Sequence, residues 1–85
     1  MHEEHISPGT VEVHGYALRM IREARGRKVA DLAAGLGVDR SYIAHLENGS
    51  KRRVGAEFYA LLLTELQIHD YRALLATAPV RKPRT

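Results

Sequence analysis

The chain contains no cysteine. Disulfide staples, thiolate metal sites and cysteine nucleophiles are thereby excluded, and a reducing cytoplasm is the expected setting. Aromatic residues are scarce, with one Phe, four Tyr and no Trp. A core must then be filled by Leu, Ala, Ile and Val, which suits a small helical domain, and an apolar share of 45% speaks against disorder along the whole length. Long apolar runs are missing too. The fragments "YALLL" and "RALLATAPV" fall far short of the roughly 20 residues that a membrane span needs, and "MHEEHISPGT" has no signal-peptide pattern. A soluble intracellular protein without a membrane partner is expected, and 85 residues leave room for one core.

Catalytic patterns are equally thin. There is no Gly-rich phosphate loop and no Ser, His and carboxylate set that the sequence itself brings together, so the chain is not read as an enzyme and no cofactor or metal is expected. The histidines of "HEEH", His2 and His5, are read as solvated polar residues. Charge is present but uneven. The net charge is +3, the first 14 residues hold three acids and no Lys or Arg, and "SKRR" and "VRKPRT" carry three basic residues each. The basic charge is local, as a polyanionic partner would require.

Residues 1–13 include Ser7, Pro8 and Gly9 and read as a flexible or extended arm in which "TVEV" allows a short strand. From Tyr16 to Arg25, Leu18, Ile21, Arg22 and Arg25 fall at i, i+3, i+4 and i+7, and Gly26 closes the run. This is a first helix with an arginine on its inward stripe. Val29, Leu32, Ala33 and Leu36 repeat the spacing in a shorter second helix, and "GLGV" supplies a tight reversal. Asp39 is placed to cap a third helix over about residues 39–48. "NGSKRRVG" reads as a loop. Phe58, Leu61, Leu62, Leu63 and Leu66 mark a fourth helix in residues 56–67, and "HDYRALLAT" marks a last short helix capped by Asp70. Pro79 and Pro83 lead into a basic, disordered tail over 77–85. The expected architecture is an all-α, five-helix bundle over 14–76, between arm and tail.

In the third helix, Ile43, Leu46 and Glu47 define one face, and Arg40, Ser41, Ala44, His45 and Asn48 define the other. A helix with so small an apolar anchor and a flat polar surface is suited to entering a groove. "LRMIREARGRKVADLAAGLGVDRSYIAHLENGSKRR" resembles the lambda-repressor and Cro type of helix-turn-helix domain, the family also called xenobiotic-response-element-like. The segments "LxxIREARG", "DLAxxLGV" and "RSYIxxLENG" and a basic loop follow in the family's order, and the similarity extends over about residues 15–76.

The resemblance implies a five-helix bundle whose third helix reads operator DNA, usually from a symmetric dimer. By position it assigns base contacts to Arg40, Ser41 and His45, and phosphate contacts to Tyr42, Asn48, Lys51, Arg52 and Arg53. Side-chain chemistry agrees: Arg can pair bidentately with guanine, Ser and His can bond base edges, and Lys and Arg beside the helix suit phosphates. Tyr42 is equally suited to packing. The resemblance also pairs Arg22 with Glu47 in a salt bridge, and periodicity turns both inward. This chain departs from the family at the start of the second helix. Lys28 and Val29 stand where Ser or Thr and Gln are usual, so the phosphate clamp there is either missing or replaced by Lys28.

The wide apolar arc of the fourth helix, Phe58, Tyr59, Leu62 and Leu63, is either core or the surface of a homodimer. The reading is a sequence-specific, double-stranded-DNA-binding transcriptional regulator, Cro-like or a repressor, of phage or prophage type. The alternatives are the antitoxin of a toxin–antitoxin pair, with a toxin as partner, and a protein-interaction adaptor that has lost DNA binding.

Overall fold

The computed structural model describes residues 9–76. The expectations for residues 1–8, including His2 and His5, and for the basic tail 77–85 lie outside the described residues.

Helix α1 spans Gly15–Ala24. His14 opens it, its Nδ1 accepting from the Ala17 amide at 3.1 Å, so an imidazole serves as the capping acceptor. Leu18 and Arg22 are buried, Ile21 is half-buried and Arg25, expected on the same stripe, is exposed at the C-cap. Helix α2, Val29–Leu36, buries Leu32 and Ala33. It ends where Gly37, at φ 73°, takes the left-handed conformation that its missing Cβ permits. The Gly37 and Val38 amides then return to the Ala34 and Ala33 carbonyls, closing the helix in a Schellman motif. Helix α3, Arg40–Asn48, follows after Asp39, and Ile43 and Leu46 carry its fully buried face. α3 packs on both α1 and α2, so the short turn between α2 and α3 sets up the helix-turn-helix geometry.

The expectation of an all-α, five-helix bundle is corrected in two places. Thr10–Glu12 form strand β1 and Arg53–Gly55 form strand β2, an antiparallel pair in which Val11 faces Val54. The last residues of the expected arm therefore belong to the fold, and the end of the expected loop "NGSKRRVG" is a strand with Val54 turned into the core. The second correction is at the C-terminal end. Helix α4, Ala56–Glu65, is the fourth and last α-helix among the described residues, and Tyr71–Leu74 form only a 3-10 turn. Asp70 caps that turn, accepting from the Arg72 amide at 2.9 Å. The chain then becomes extended at Leu75, which bridges Val13, while the Ala76 amide donates to the Glu12 carbonyl. Pairing with β1 supplies backbone partners that another helical turn would have supplied, and it halts the helix.

The core gathers Leu18, Leu32, Ile43, Leu46, Tyr59, Leu62, Leu66 and Leu74, all essentially inaccessible, with Val13 and Val54 closing it from the sheet side. Of the two readings of the fourth helix, core or dimer surface, burial places three of the four named residues in the core. Tyr59, Leu62 and Leu63 are buried, because with Leu66 they form the i, i+3, i+4, i+7 stripe of α4 that faces the core. Phe58 is half-buried against Tyr42. The Tyr59 hydroxyl donates to the Tyr71 carbonyl, which makes a polar end tolerable in the core. No helix among the described residues is long and apolar enough to cross a membrane.

Candidate nucleic-acid interface

Burial of Ile43 and Leu46 turns Arg40, Ser41, Ala44, His45 and Asn48 outward, and all are exposed. They recur at i, i+1, i+4, i+5 and i+8, which lays them along one face of α3. Among the described residues, the Arg40 guanidinium makes no hydrogen bond or salt bridge, and its donors point to no internal task. Ser41 differs. Its hydroxyl donates to Asp39 Oδ2 at 2.5 Å, and its amide donates to the same oxygen at 2.9 Å. These two bonds, with Arg40 nearby, hold the Asp39 carboxyl below its usual range. The Ser41 proton is thus committed to the cap, and what the hydroxyl offers outward is its acceptor lone pairs.

The expected phosphate-contacting residues fall into separate places. Asn48 Oδ1 accepts from the Ser50 amide at 2.8 Å, an Asx turn that starts the loop and leaves the Asn48 amide donors outward. The Lys51 amide donates to the His45 carbonyl at 3.0 Å, tying the loop back to α3. The Lys51 ammonium lies 5.3 Å from the centroid of the Tyr42 ring, and that ring is stacked on Phe58 at 5.2 Å and 13°. Arg52 donates through Nε to the Gly49 carbonyl at 3.2 Å and lies 3.9 Å from Glu12. Arg53, on β2, donates to the Thr10 hydroxyl at 3.3 Å. Lys28 is the exposed N-cap residue of α2 and makes no side-chain cap bond. Next to it, Val29 lines a shallow cleft of about 330 Å³ together with Ala44 and Asn48 of α3 and Arg19 of α1. The start of α2 therefore presents an apolar side chain beside the outward face of α3, with a cation just before it.

Beneath this face, Arg22 and Glu47 are brought together. Arg22 Nε donates to Glu47 Oε2 at 2.6 Å, Nη2 donates to Oε1 at 3.1 Å, and Nη1 donates to the Arg27 carbonyl at 2.8 Å. The bonds to Glu47 raise the Arg22 pKa above an already high value, so the buried guanidinium stays charged. The fork joins the middle of α1 to the end of α3 and to the turn entering α2.

Two elements of this support were not anticipated from sequence. Gly15 lies against the end of α3, where an added Cβ would collide with the carbonyl oxygens of Leu46 and Glu47. Its only sequence signal is a glycine immediately before an apolar helical stripe. Arg27 donates to the Glu65 carbonyl at 2.8 Å and to its carboxylate at 3.1 Å, tying the α1–α2 turn to α4. A separation of this length carries no periodic signal.

A family model described as a helix-turn-helix domain matches residues 15–76, from the first residue of α1 past the 3-10 turn, with β1 outside the matched span. No curated protein and no solved structure matches the chain.

Proposed function

This chain belongs to the helix-turn-helix domain family, and from that premise we propose that it is a sequence-specific transcriptional regulator of the lambda-repressor and Cro type. In this reading α3 enters the major groove of double-stranded DNA and the protein acts in the cytoplasm or nucleoid as a repressor, without catalysis and without a cofactor. The observation that carries the reading is the outward face of α3. Arg40, Ser41, His45 and Asn48 stand exposed around the small Ala44, while two buried apolar side chains and the Glu47–Arg22 fork hold the opposite side. A solvated helix needs no such fork under it.

Arg40, with free donors at the N-terminal end of α3, is assigned the most discriminating base contact, a bidentate pair with guanine O6 and N7. Ser41 reads as an acceptor, suited to an amino group of adenine or cytosine, and His45 reads a base edge one turn on. Lys51, Arg52, Arg53, the Asn48 amide and Lys28 are assigned to phosphates, where they supply salt-dependent affinity without sequence information. A symmetric pair of chains would set two copies of α3 about 34 Å apart, one turn of DNA, on a palindromic operator.

The test is a pair of substitutions read by equilibrium binding over a range of salt. Arg40→Ala should remove base preference at one position of each half-site, with a loss of roughly 1–3 kcal/mol on the preferred sequence. Lys51→Ala should weaken all sequences alike and flatten the plot of log affinity against log salt by about one unit. Equal losses on preferred and unrelated duplexes for Arg40→Ala would remove the base-reading assignment. One observation favours a second reading: Val29 sets an apolar side chain beside the outward face of α3, as in an adaptor that binds protein instead of DNA. That reading requires that no duplex be retained even at low salt. An antitoxin would instead be recovered with a second small protein bound to it.

A further inference from the structure

We infer that Tyr42 serves the DNA interface as a positioning residue for Lys51, through its ring, and is not itself a phosphate ligand. The inference rests on the DNA-binding reading above. Three elements meet at this point. Tyr42 belongs to α3, Phe58 to α4 and Lys51 to the segment between α3 and β2. The Tyr42 and Phe58 rings lie nearly parallel, 13° apart with centroids at 5.2 Å, so Phe58 fixes the plane of the tyrosine ring from one side. The Lys51 ammonium lies 5.3 Å from that ring's centroid, within the range at which a ring quadrupole attracts a cation.

The chemistry of the contact matters for what Lys51 can do next. A carboxylate partner would hold the ammonium but neutralise it, and a phosphate would then have to displace an anion. An aromatic ring holds the ammonium while leaving its charge intact. Among the described residues no carboxylate pairs with Lys51, whereas Arg52 lies 3.9 Å from Glu12. The backbone is ordered too, by the Lys51 amide on the His45 carbonyl and the Ser50 amide on Asn48 Oδ1. Lys51 is thus an exposed, uncancelled charge fixed at the C-terminal end of α3 before DNA arrives. The Tyr42 hydroxyl makes no hydrogen bond with another described residue, so the ring accounts for the contacts that Tyr42 makes here.

A double-mutant cycle on the full chain tests this, with a fluorescent duplex carrying the sequence it prefers, or any duplex at low salt if none is preferred. Tyr42→Leu should weaken binding about two- to fivefold in the native background and have no further effect in a Lys51→Ala background, while Tyr42→Phe should bind as the native chain does. Phe58→Leu should weaken binding in the same direction and be silent in the same background. Equal losses from Tyr42→Leu in both backgrounds, or a loss from Tyr42→Phe matching that from Tyr42→Leu, would overturn the inference. A measurement on the native chain covers the case of a variant that does not fold: the ε-methylene protons of Lys51 should be shifted upfield by the ring in the absence of DNA, and ordinary shifts would overturn it as well. If the native chain binds no duplex at all, the DNA reading itself fails and takes this inference with it. A native chain that binds normally with an additive cycle rejects only the role of Tyr42.

Discussion

Arg22 is bound on one side by both oxygens of Glu47 and on the other by the Arg27 carbonyl. Both charged partners are largely inaccessible, with side-chain exposures of 11% and 9%. Removing one partner leaves the other without compensation, a loss that reaches about 3–5 kcal/mol when burial is complete. Glu47→Gln should therefore lower unfolding free energy by about 3 kcal/mol in denaturant titrations, and the pair Arg22→Met with Glu47→Leu should recover most of it. A loss below about 1 kcal/mol, the ceiling for a surface pair, would show that the fork carries no weight. This pair was legible in the sequence because the family resemblance pairs the two positions and both residues fall on inward stripes. The third bond, to the Arg27 carbonyl, was not, since it depends on the path of the turn after Gly26. Asp39 gives a prediction of another kind. Its carboxyl is held below the usual range by the Ser41 hydroxyl and amide, so its folded-state pKa lies below its unfolded one. A depressed carboxylate contributes stability that is fully present above the unfolded value, near pH 4, and is lost as pH falls through the folded value. The melting temperature should accordingly decline below about pH 4, and Asp39→Asn, which keeps a capping oxygen without the charge, should make that decline shallower. An identical acid profile in the two proteins would assign the decline to other groups.

At the scale of elements, α3 is held by close backbone approach as well as by the fork. Gly15, at the start of α1, sits where a Cβ would collide with the Leu46 and Glu47 carbonyls, and neither is the end of a flexible side chain. Gly15→Ala should cost about 1–3 kcal/mol, the range for forcing extra atoms into a packed site. It should also weaken DNA binding, because relief requires α1 and the end of α3 to move apart. A variant as stable as the native chain would show that the approach is looser than described. The four helices were readable because each carries a 3.6-residue apolar period, and for the first three Gly26, Gly37, Asp39 and Gly49 punctuate the run, whereas α4 ends without a glycine. The strands were harder. Each is only three residues long, so the alternation of "TVEV" allowed β1 without requiring it, and β2 is hidden in a segment whose Asn, Gly and Ser content reads as loop. The fifth helix was misread because "YRAL" has helical spacing locally, while the pairing of Leu75 with Val13 that ends it is a long-range event. The apolar arc of α4 had two readings from sequence, and only the packed fold separates Tyr59, Leu62 and Leu63, which are core, from Leu61, which is 54% exposed.

For the whole molecule, the features that sequence made most legible are those on the exposed face of α3, where the proposed DNA contact lies. The outward face of α3 follows from periodicity alone once Ile43 and Leu46 are known to face in, and the family match over residues 15–76 agrees with the helical part of the reading. What sequence did not show is how the pieces are locked: β1 and Val13 lie outside the matched span, yet β1 pairs with β2, Val13 bridges Leu75 and the Glu12 carbonyl accepts from the Ala76 amide. Through those pairings the segment leading from α3 to α4, which carries Lys51, Arg52 and Arg53, is attached to the body of the domain. The central claim is that this body exists to hold α3 for reading base edges. It is tested most directly by selecting bound sequences from a pool of random duplexes with the native chain at low salt. The account predicts convergence on a single motif whose preference for guanine disappears with Arg40→Ala; retention of duplexes without any enriched sequence, or no retention at all, would contradict it.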